Sequence, residues 1–521
     1  MNRTEVRKHL LFVFILLIIE ILAGCSKSSR LTDDSAVPDG SKLDELQYYI
    51  LGDPPKDLLQ INNRINDLTK KELNLIVKFN FIAWSDYAQK YNLLISTGQP
   101  IDLIYTANWL GYYQLAKKNA FKELDKLLPE YAPELYEFVP DEYWNQVKVG
   151  GKIYTIPGTW NEYINNGFIY RQDLQEKFGL PVPNTLENVE KYFIGVKNNL
   201  PGQVMTWDYG HPGPTDWSYS AFEILAMKYS WVHIGTPYGL VADYDNPSDI
   251  RPYWGTEEFT EDMKMFKRWA DEGFWSRGAI ATKADATAFT TGKCIALIAG
   301  NNPNKYFSAV KEVQSKNPDW KVGYIPYPMV NGVAYKAHAT QNGYAIPHSS
   351  QNPEKSLMFY QKLVLDKRYN QLTQYGIEGT HFTVDKDNNY MAVGDPTASG
   401  MKREGMNGWA WRNPNYMLYE KGFNIINNMF KDLDKIAEKS KYKGTDIFDG
   451  FPEDFTSYQN ERAALGTVMT QYLIPLEAGL VPDVDSAVNL FMEKAKEASL
   501  DKIQSEYIRL WKAYCTSNNY N

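Results

Sequence analysis

Cysteine is scarce in this chain, with three among 521 residues, at positions 25, 294 and 515. That excludes a disulfide scaffold and a Cys-rich zinc module. Histidine is nearly as rare. His9, His211, His233, His338, His348 and His381 show no metal-ligand spacing. Basic residues are not in excess: 55 Lys and Arg face 63 Asp and Glu, for a net charge of −8, which argues against a nucleic-acid partner. The apolar run at residues 10–19 falls short of the roughly 20 residues a membrane-spanning helix needs. No P-loop, GxSxG, HExxH or GxGxxG with a ribose acid occurs in the context its chemistry requires. The run from Asp385 to Asn389 begins like a calcium loop, but Tyr390 stands at the sixth position and Pro396 at the twelfth. It reads as a polar turn. Hydrophobic residues at 44% and charged residues at 23% are those of a globular chain, here long enough for roughly two to four domains.

Aromatic residues are abundant, 14% of the chain, with 37 Tyr and 14 Trp. Each offers a flat apolar face with a polar handle, suited to sugars and to interfaces as well as to ordinary cores. The first residues carry Arg3, Arg7 and Lys8, then the apolar run, then Leu22-Ala23-Gly24-Cys25. Basic start, short apolar stretch and small residues read as a secretory signal. The ending resembles the lipobox of bacterial lipoproteins, which implies cleavage after residue 24, lipidation of Cys25 and a place on the extracellular face of the cell membrane. Residues 26–42 are polar without hydrophobic period and read as a flexible tether.

From residue 46 the pattern alternates. Strands are expected at 46–51, 75–82 and 101–105, with helices after Pro54-Pro55, at 84–97 and at 109–118. That order predicts a parallel sheet with crossover helices, whose ligands sit beyond the carboxyl ends of the strands. Further strands are expected at 152–156, 167–170, 294–299 and 344–347. Beyond Lys421 the pattern is mostly helical.

Residues 101–128 (IDLIYTANWLGYYQLAKKNAFKELDKLL), 152–157 (KIYTIP), 167–192 and 342–382 together resemble the extracellular solute-binding proteins of ABC importers. Residues 463–511 are similar to the helical C-terminal region of the LplA-like Gram-positive lipoproteins. The resemblance implies an α/β fold of the periplasmic-binding-protein type, with two hinge-linked lobes and a helical C-terminal region. It places lobe one at 43–160 and 328–375 and lobe two at 161–327 and 376–521, with crossings near Thr159–Glu162, Gly323–Pro328 and Gly376. It implies capture of a small solute, most often an oligosaccharide, by a monomer that does no covalent chemistry, needs no cofactor and hands its cargo to ABC permease subunits. A lipid-anchored carbohydrate-active enzyme and a sensor or adhesion lipoprotein remain open on the same fold.

A sugar site needs aromatic faces beside planar polar groups. Asn108 and Trp109 follow the third strand, although Asn108 also suits a helix N-cap. Trp160, Asn161, Glu162 and Tyr163 fall at the first crossing, as ligand contacts or as hinge packing. Trp207 and Asp208 lie in a Gly/Pro loop that ends at Trp217, and Asn301 and Asn302 follow a buried strand. Trp409, Trp411 and Arg412 are expected on an extended segment whose period of two aligns both rings.

Overall fold

The computed structural model describes residues 43–84, 86–159, 162–207, 220–233, 237–282, 287–394 and 400–520. Strand β1 (Asp44–Leu51) leads to helix α1 (Leu58–Leu73), strand β2 (Leu75–Ile82), helix α2 (Tyr87–Ser96) and strand β3 (Leu103–Thr106). Pro54 and Pro55 block strand continuation before α1. Ile61, Ile65, Thr69 and Leu73 form its buried stripe, and Asn74 ends it in the left-handed conformation. The side chain of Asn66 reads the backbone of β2 from that helix: Nδ2 donates to the Val77 carbonyl (3.2 Å) and Oδ1 accepts from its N–H (2.8 Å). Helix and strand are thereby held in one register.

Four further strands follow, one for the main sheet and three for a second: β4 (Ile156–Pro157), then β5 (Gly167–Arg171), β6 (Ala296–Leu297) and β7 (Val322–Pro326). β8 (Gly343–Ala345) returns to the first sheet, whose order is β2-β1-β3-β8-β4, and the second sheet runs β6-β5-β7. β1 is parallel to β2 over all eight positions, from Asp44↔Leu75 to Leu51↔Ile82, and parallel to β3. The predicted crossover sheet is therefore present. β8 pairs antiparallel with both β3 and β4, a feature the strand–helix rhythm does not signal.

Each sheet has its own apolar core. The first gathers Tyr48, Ile61, Leu103, Tyr344, Phe359 and Trp411. The second gathers Phe168, Phe193, Phe266, Trp269 and Trp275 with the terminal helices Val484–Glu497 and Leu500–Ser517. Trp511 seals that helical region by donating to the Pro247 carbonyl at 2.6 Å. At about 1.5–3 kcal/mol for each large side chain removed from water, both cores are substantial, and each sheet carries its own hydrophobic cluster.

Three stretches join the bodies. The first leaves β4 for β5, and the second runs from β7 to β8. They lie side by side: Tyr163 bridges Lys336, and the Ala337 N–H donates to the Glu162 carbonyl at 3.0 Å. β7 was expected to enter a crossing at Gly323–Pro328, but it is paired along its whole length with β5, so the chain turns back only after it. The third stretch follows Trp411 rather than Gly376. Met401, Met406, Ala410 and Trp411 pack in the first core, although the sequence pattern grouped everything after 376 with lobe two. The turn at 408–411 is held there by donors from three neighbours. Gln374 bonds the Gly408 carbonyl (2.7 Å), Tyr360 that of Ala410 (2.9 Å) and Asn370 that of Trp411 (2.8 Å). Buried carbonyls require such partners. Phe423 then joins Phe307, Ile169 and Val322 beside the second sheet.

Candidate ligand site

The parallel strands β1, β2 and β3 end on one side of the first sheet. β1 is followed by Gly52, with φ +124°, where a Cβ would collide with Asn407 Nδ2. Only glycine fits there, and the gap lets Asn407 donate to the Leu51 carbonyl at 2.8 Å. This close approach brings the 400–411 segment, and with it Trp409, over the strand ends.

Trp84 follows β2 and Trp109 follows β3. Their rings stack at 6.3 Å and 22°. Trp409 adds a third indole, 6.0 Å from Trp84 and tilted by 36°. Tyr87 and Tyr105 brace Trp109 edge-on and obliquely, each at 6.1 Å. Trp84 is 41% exposed and Trp109 46%, values unusual for indoles in a chain that buries Trp269, Trp275, Trp411 and Trp511 completely. Polar groups border the platform. Trp109 Nε1 donates to the Gln341 carbonyl (3.3 Å), and Tyr105 donates to Asn342 Oδ1 (2.5 Å). Asn108 donates through Nδ2 to the Asp449 carbonyl (3.3 Å), while its Oδ1 is buried without a partner among the described residues.

Trp109 and Asn108 thus stand where the strand-end rule puts them. The helix expected from Trp109 onward is interrupted: a single 3-10 turn, Asn108–Leu110, ends at Gly111 with φ +76°, and Tyr112–Lys117 continues. That break turns the indole outward. Trp84 was missed by sequence reasoning, although it occupies the same place after β2 as Trp109 does after β3. The same rule applied to both strands finds it.

A charge network joins the crossing segments. Arg412 donates through Nε to Glu404 Oε1 at 2.5 Å and through Nη1 to Glu162 Oε1 at 3.1 Å. Asn304 Nδ2 holds the other oxygen of Glu162 at 2.9 Å, and Arg403 holds the other oxygen of Glu404 at 3.0 Å. Thr159 bonds the Arg412 carbonyl. Burial opposes ionisation of Glu404, but the guanidiniums of Arg412 and Arg403 outweigh it and hold the carboxyl below the usual range. Arg412 is thus satisfied by two carboxylates, and it joins the first crossing to the third.

Other expected contacts sit in different surroundings. Trp411 is fully buried, packs on Tyr48 and Tyr344, and donates to Thr373 at 2.9 Å. The segment is the 3-10 helix Gly408–Trp411, whose 120° per residue turns Trp409 and Trp411 apart where an extended strand would align them. Asn302 caps the helix Pro303–Lys316 through Oδ1 to the Lys305 N–H at 3.0 Å. Asn301 is fully buried; its carbonyl accepts from Tyr324 at 2.7 Å, while its side-chain amide has no partner among the described residues. Tyr163 is buried at the hinge and donates to Asp434 at 2.7 Å; burial and that carboxylate raise its phenol well above the usual value. Trp207 packs with the Cys294 cluster, with Lys293 above its ring. Trp160, Asn161, Asp208, Trp217 and Cys25 lie outside the described residues.

On the second body a small pocket of about 70 Å³ is lined by Asn165, Asn166, Glu223, Trp231, His233 and Tyr335. The buried carboxylate of Glu223 accepts from Asn166 Nδ2 (3.0 and 3.1 Å) and from the Gly300 N–H (2.8 Å), which fixes the ends of β5 and β6 around it. No cluster of His, Cys, Asp and Glu suited to a metal occurs among the described residues, and none of their helices is long and apolar enough to cross a membrane.

The family model for bacterial extracellular solute-binding proteins matches residues 54–365, well over half of the chain. The chain belongs to this family. A second model, for a domain of unknown function, matches residues 447–516 of this binding protein, the helical region packed on the second core. A carbohydrate ABC transporter substrate-binding protein of Streptococcus pneumoniae is 22% identical over 502 residues, covering 94% of this chain and 95% of that one. Among solved structures, the N-glycan transport solute-binding protein of the same organism superposes with a TM-score of 0.67 at 18% identity, over 91% of this chain and 100% of that one. A human-milk-oligosaccharide (HMO) binding protein from Bifidobacterium longum infantis gives 0.65 at 14% identity, over 91% and 99%. The binding protein therefore has the two-lobed solute-binding fold with a helical C-terminal region.

Proposed function

We propose that this protein captures an oligosaccharide outside the cell and presents it to the permease of an ABC importer. The observation that carries the reading is the platform of exposed Trp84 and Trp109 with half-buried Trp409 at the carboxyl ends of the parallel strands. Indole faces cover the C–H side of sugar rings, and the amides and carbonyls around them give direction to hydroxyls. The relatives named for carbohydrate, N-glycan and HMO binding support the same class of solute. The two bodies act as lobes: residues 43–160 and 328–375 with the 401–411 return form one, and 161–327 with the C-terminal helices the other. Solute bound between them favours the closed pair, which the permease reads. The protein works as a monomer without cofactor, held on the outer face by a lipid on Cys25 through the tether of residues 26–42.

A glycan panel including Man5GlcNAc and kestose, titrated by calorimetry, tests the proposal. One glycan should bind and be recovered intact, and its binding should weaken about tenfold in Trp109→Ala. Binding that is indifferent to that substitution removes the platform from the site. Cleavage of the glycan replaces capture with an enzymatic role.

A further inference from the structure

The third crossing opens a groove that none of the three platform indoles lines. Two adjoining cavities of about 240 and 570 Å³ share Arg403 and Glu420. One wall is a single face of the helix Pro303–Lys316, because Asn304, Phe307, Ser308 and Lys311 recur at helical spacing. The floor is aromatic: Tyr419 stacks on Phe423 at 4.5 Å, Phe423 meets Phe307 at 5.1 Å, and Arg403 stands 5.9 Å above Tyr419. The mouth is cationic. Lys311, Lys402, Arg403 and Lys421 line the larger cavity against the single acid Glu420. Lys311 pairs with Glu420 and Arg403 with Glu404. Lys402 and Lys421 are exposed and make no salt bridge with the described residues, although the Asp385 carboxylate lies within electrostatic reach of Lys421. Such a surplus runs against a chain whose net charge is −8, and a concave wall of low dielectric concentrates it.

We infer that this groove binds an oxyanion, a carboxylate, sulfate or phosphate on a small polar molecule, through Lys402 and Lys421 at its mouth with Lys311 and Arg403 behind them. The two walls come from different bodies. Lys311 belongs to a helix packed beside the second sheet, and Lys402 follows Met401 of the first core. An anion touching both stabilises the arrangement that brings them together, and any solute that prefers this arrangement binds more tightly in its presence, by the same factor in both directions.

Thermal melts of the purified protein in rising sulfate and in rising citrate, at an ionic strength held constant with sodium chloride, test the site. The melting temperature should rise and saturate, and Lys402→Gln/Lys421→Gln should abolish the saturating part. Sulfate also stabilises proteins generally by exclusion from their surface, but that effect does not saturate and persists in the double variant. Both lysines are exposed, so the variant should keep the basal melting temperature. Trp109→Ala should weaken glycan binding and keep the anion response, which separates failure of this site from failure of the sugar platform. A uronate-bearing oligosaccharide that displaces citrate and also quenches the platform's fluorescence places the oxyanion on the captured glycan. Displacement without quenching makes it a separate ligand, and both results support the groove. Absence of a saturating rise, or an equal rise in the double variant, overturns the inference.

Discussion

Replacing Arg412 with Met should lower folding stability by about 3 kcal/mol at pH 7. The guanidinium joins Glu404 and Glu162, and the three side chains are only 13%, 12% and 20% exposed. Removing one partner of a buried ion pair leaves a desolvated charge and costs roughly 3–5 kcal/mol. The lower end applies because Glu404 keeps Arg403 and Glu162 keeps Asn304. The loss should depend on pH. A carboxyl held below its unfolded value, as Glu404 is, stabilises the fold at pH values above that unfolded value, near 4.3. That contribution disappears as the pH falls through the folded value. In Arg412→Met the main cation holding it down is gone, so the two proteins should differ fully at pH 7 and converge only as the pH falls through the lowered folded value of Glu404. Urea unfolding followed by tryptophan fluorescence at pH 7 and in acid measures the gap. Adding Glu404→Gln to Arg412→Met should recover part of the loss at pH 7. A cost under about 1 kcal/mol at pH 7, or one that persists unchanged in acid, refutes the reasoning.

Exposed and buried indoles should part company. Trp109→Ala should weaken glycan binding about tenfold, near 1.4 kcal/mol, with little change in melting temperature, whereas Trp411→Ala should cost about 3–5 kcal/mol of stability; calorimetry and urea unfolding on the two variants read both. Glu477 is fully buried with neither oxygen bonded to a described residue, and burial raises its carboxyl well above the usual range. The native protein keeps it protonated while the unfolded chain ionises it, so it costs stability as pH rises through the carboxylate range. Glu477→Met should therefore be more stable than the parent by about 1–3 kcal/mol at pH 7 and close to it at pH 4, a difference that melting curves at both pH values resolve. His338 is buried and pushed down to about 4. Its neutral ring accepts the Thr340 N–H at Nδ1, so stability should fall by up to about 3 kcal/mol as pH drops from about 6.5 to 4. His338→Asn should flatten that slope in unfolding free energies measured across the interval.

Local pattern alone determined a good deal of this protein. The Leu58–Leu68 stripe, the prolines before it and the alternation at 75–82 specify α1 and β2, because side-chain periodicity is set by backbone geometry within a few residues. The same local logic placed Asn108 and Trp109 at a strand end. Which indole faces solvent was decided elsewhere. Trp409 and Trp411 are two residues apart, yet one stays half-buried beside exposed Trp84 and the other fills the core. The difference comes from a 3-10 turn whose carbonyls are claimed by Gln374, Tyr360 and Asn370, residues 34 to 50 positions away. The meeting of Trp84 with Trp109 and Trp409, the bridging of two crossings by Arg412 and the return of 401–411 to the first core all depend on such distant partners. Periodicity reports which side of an element is apolar. Only the packed fold decides what lies against it.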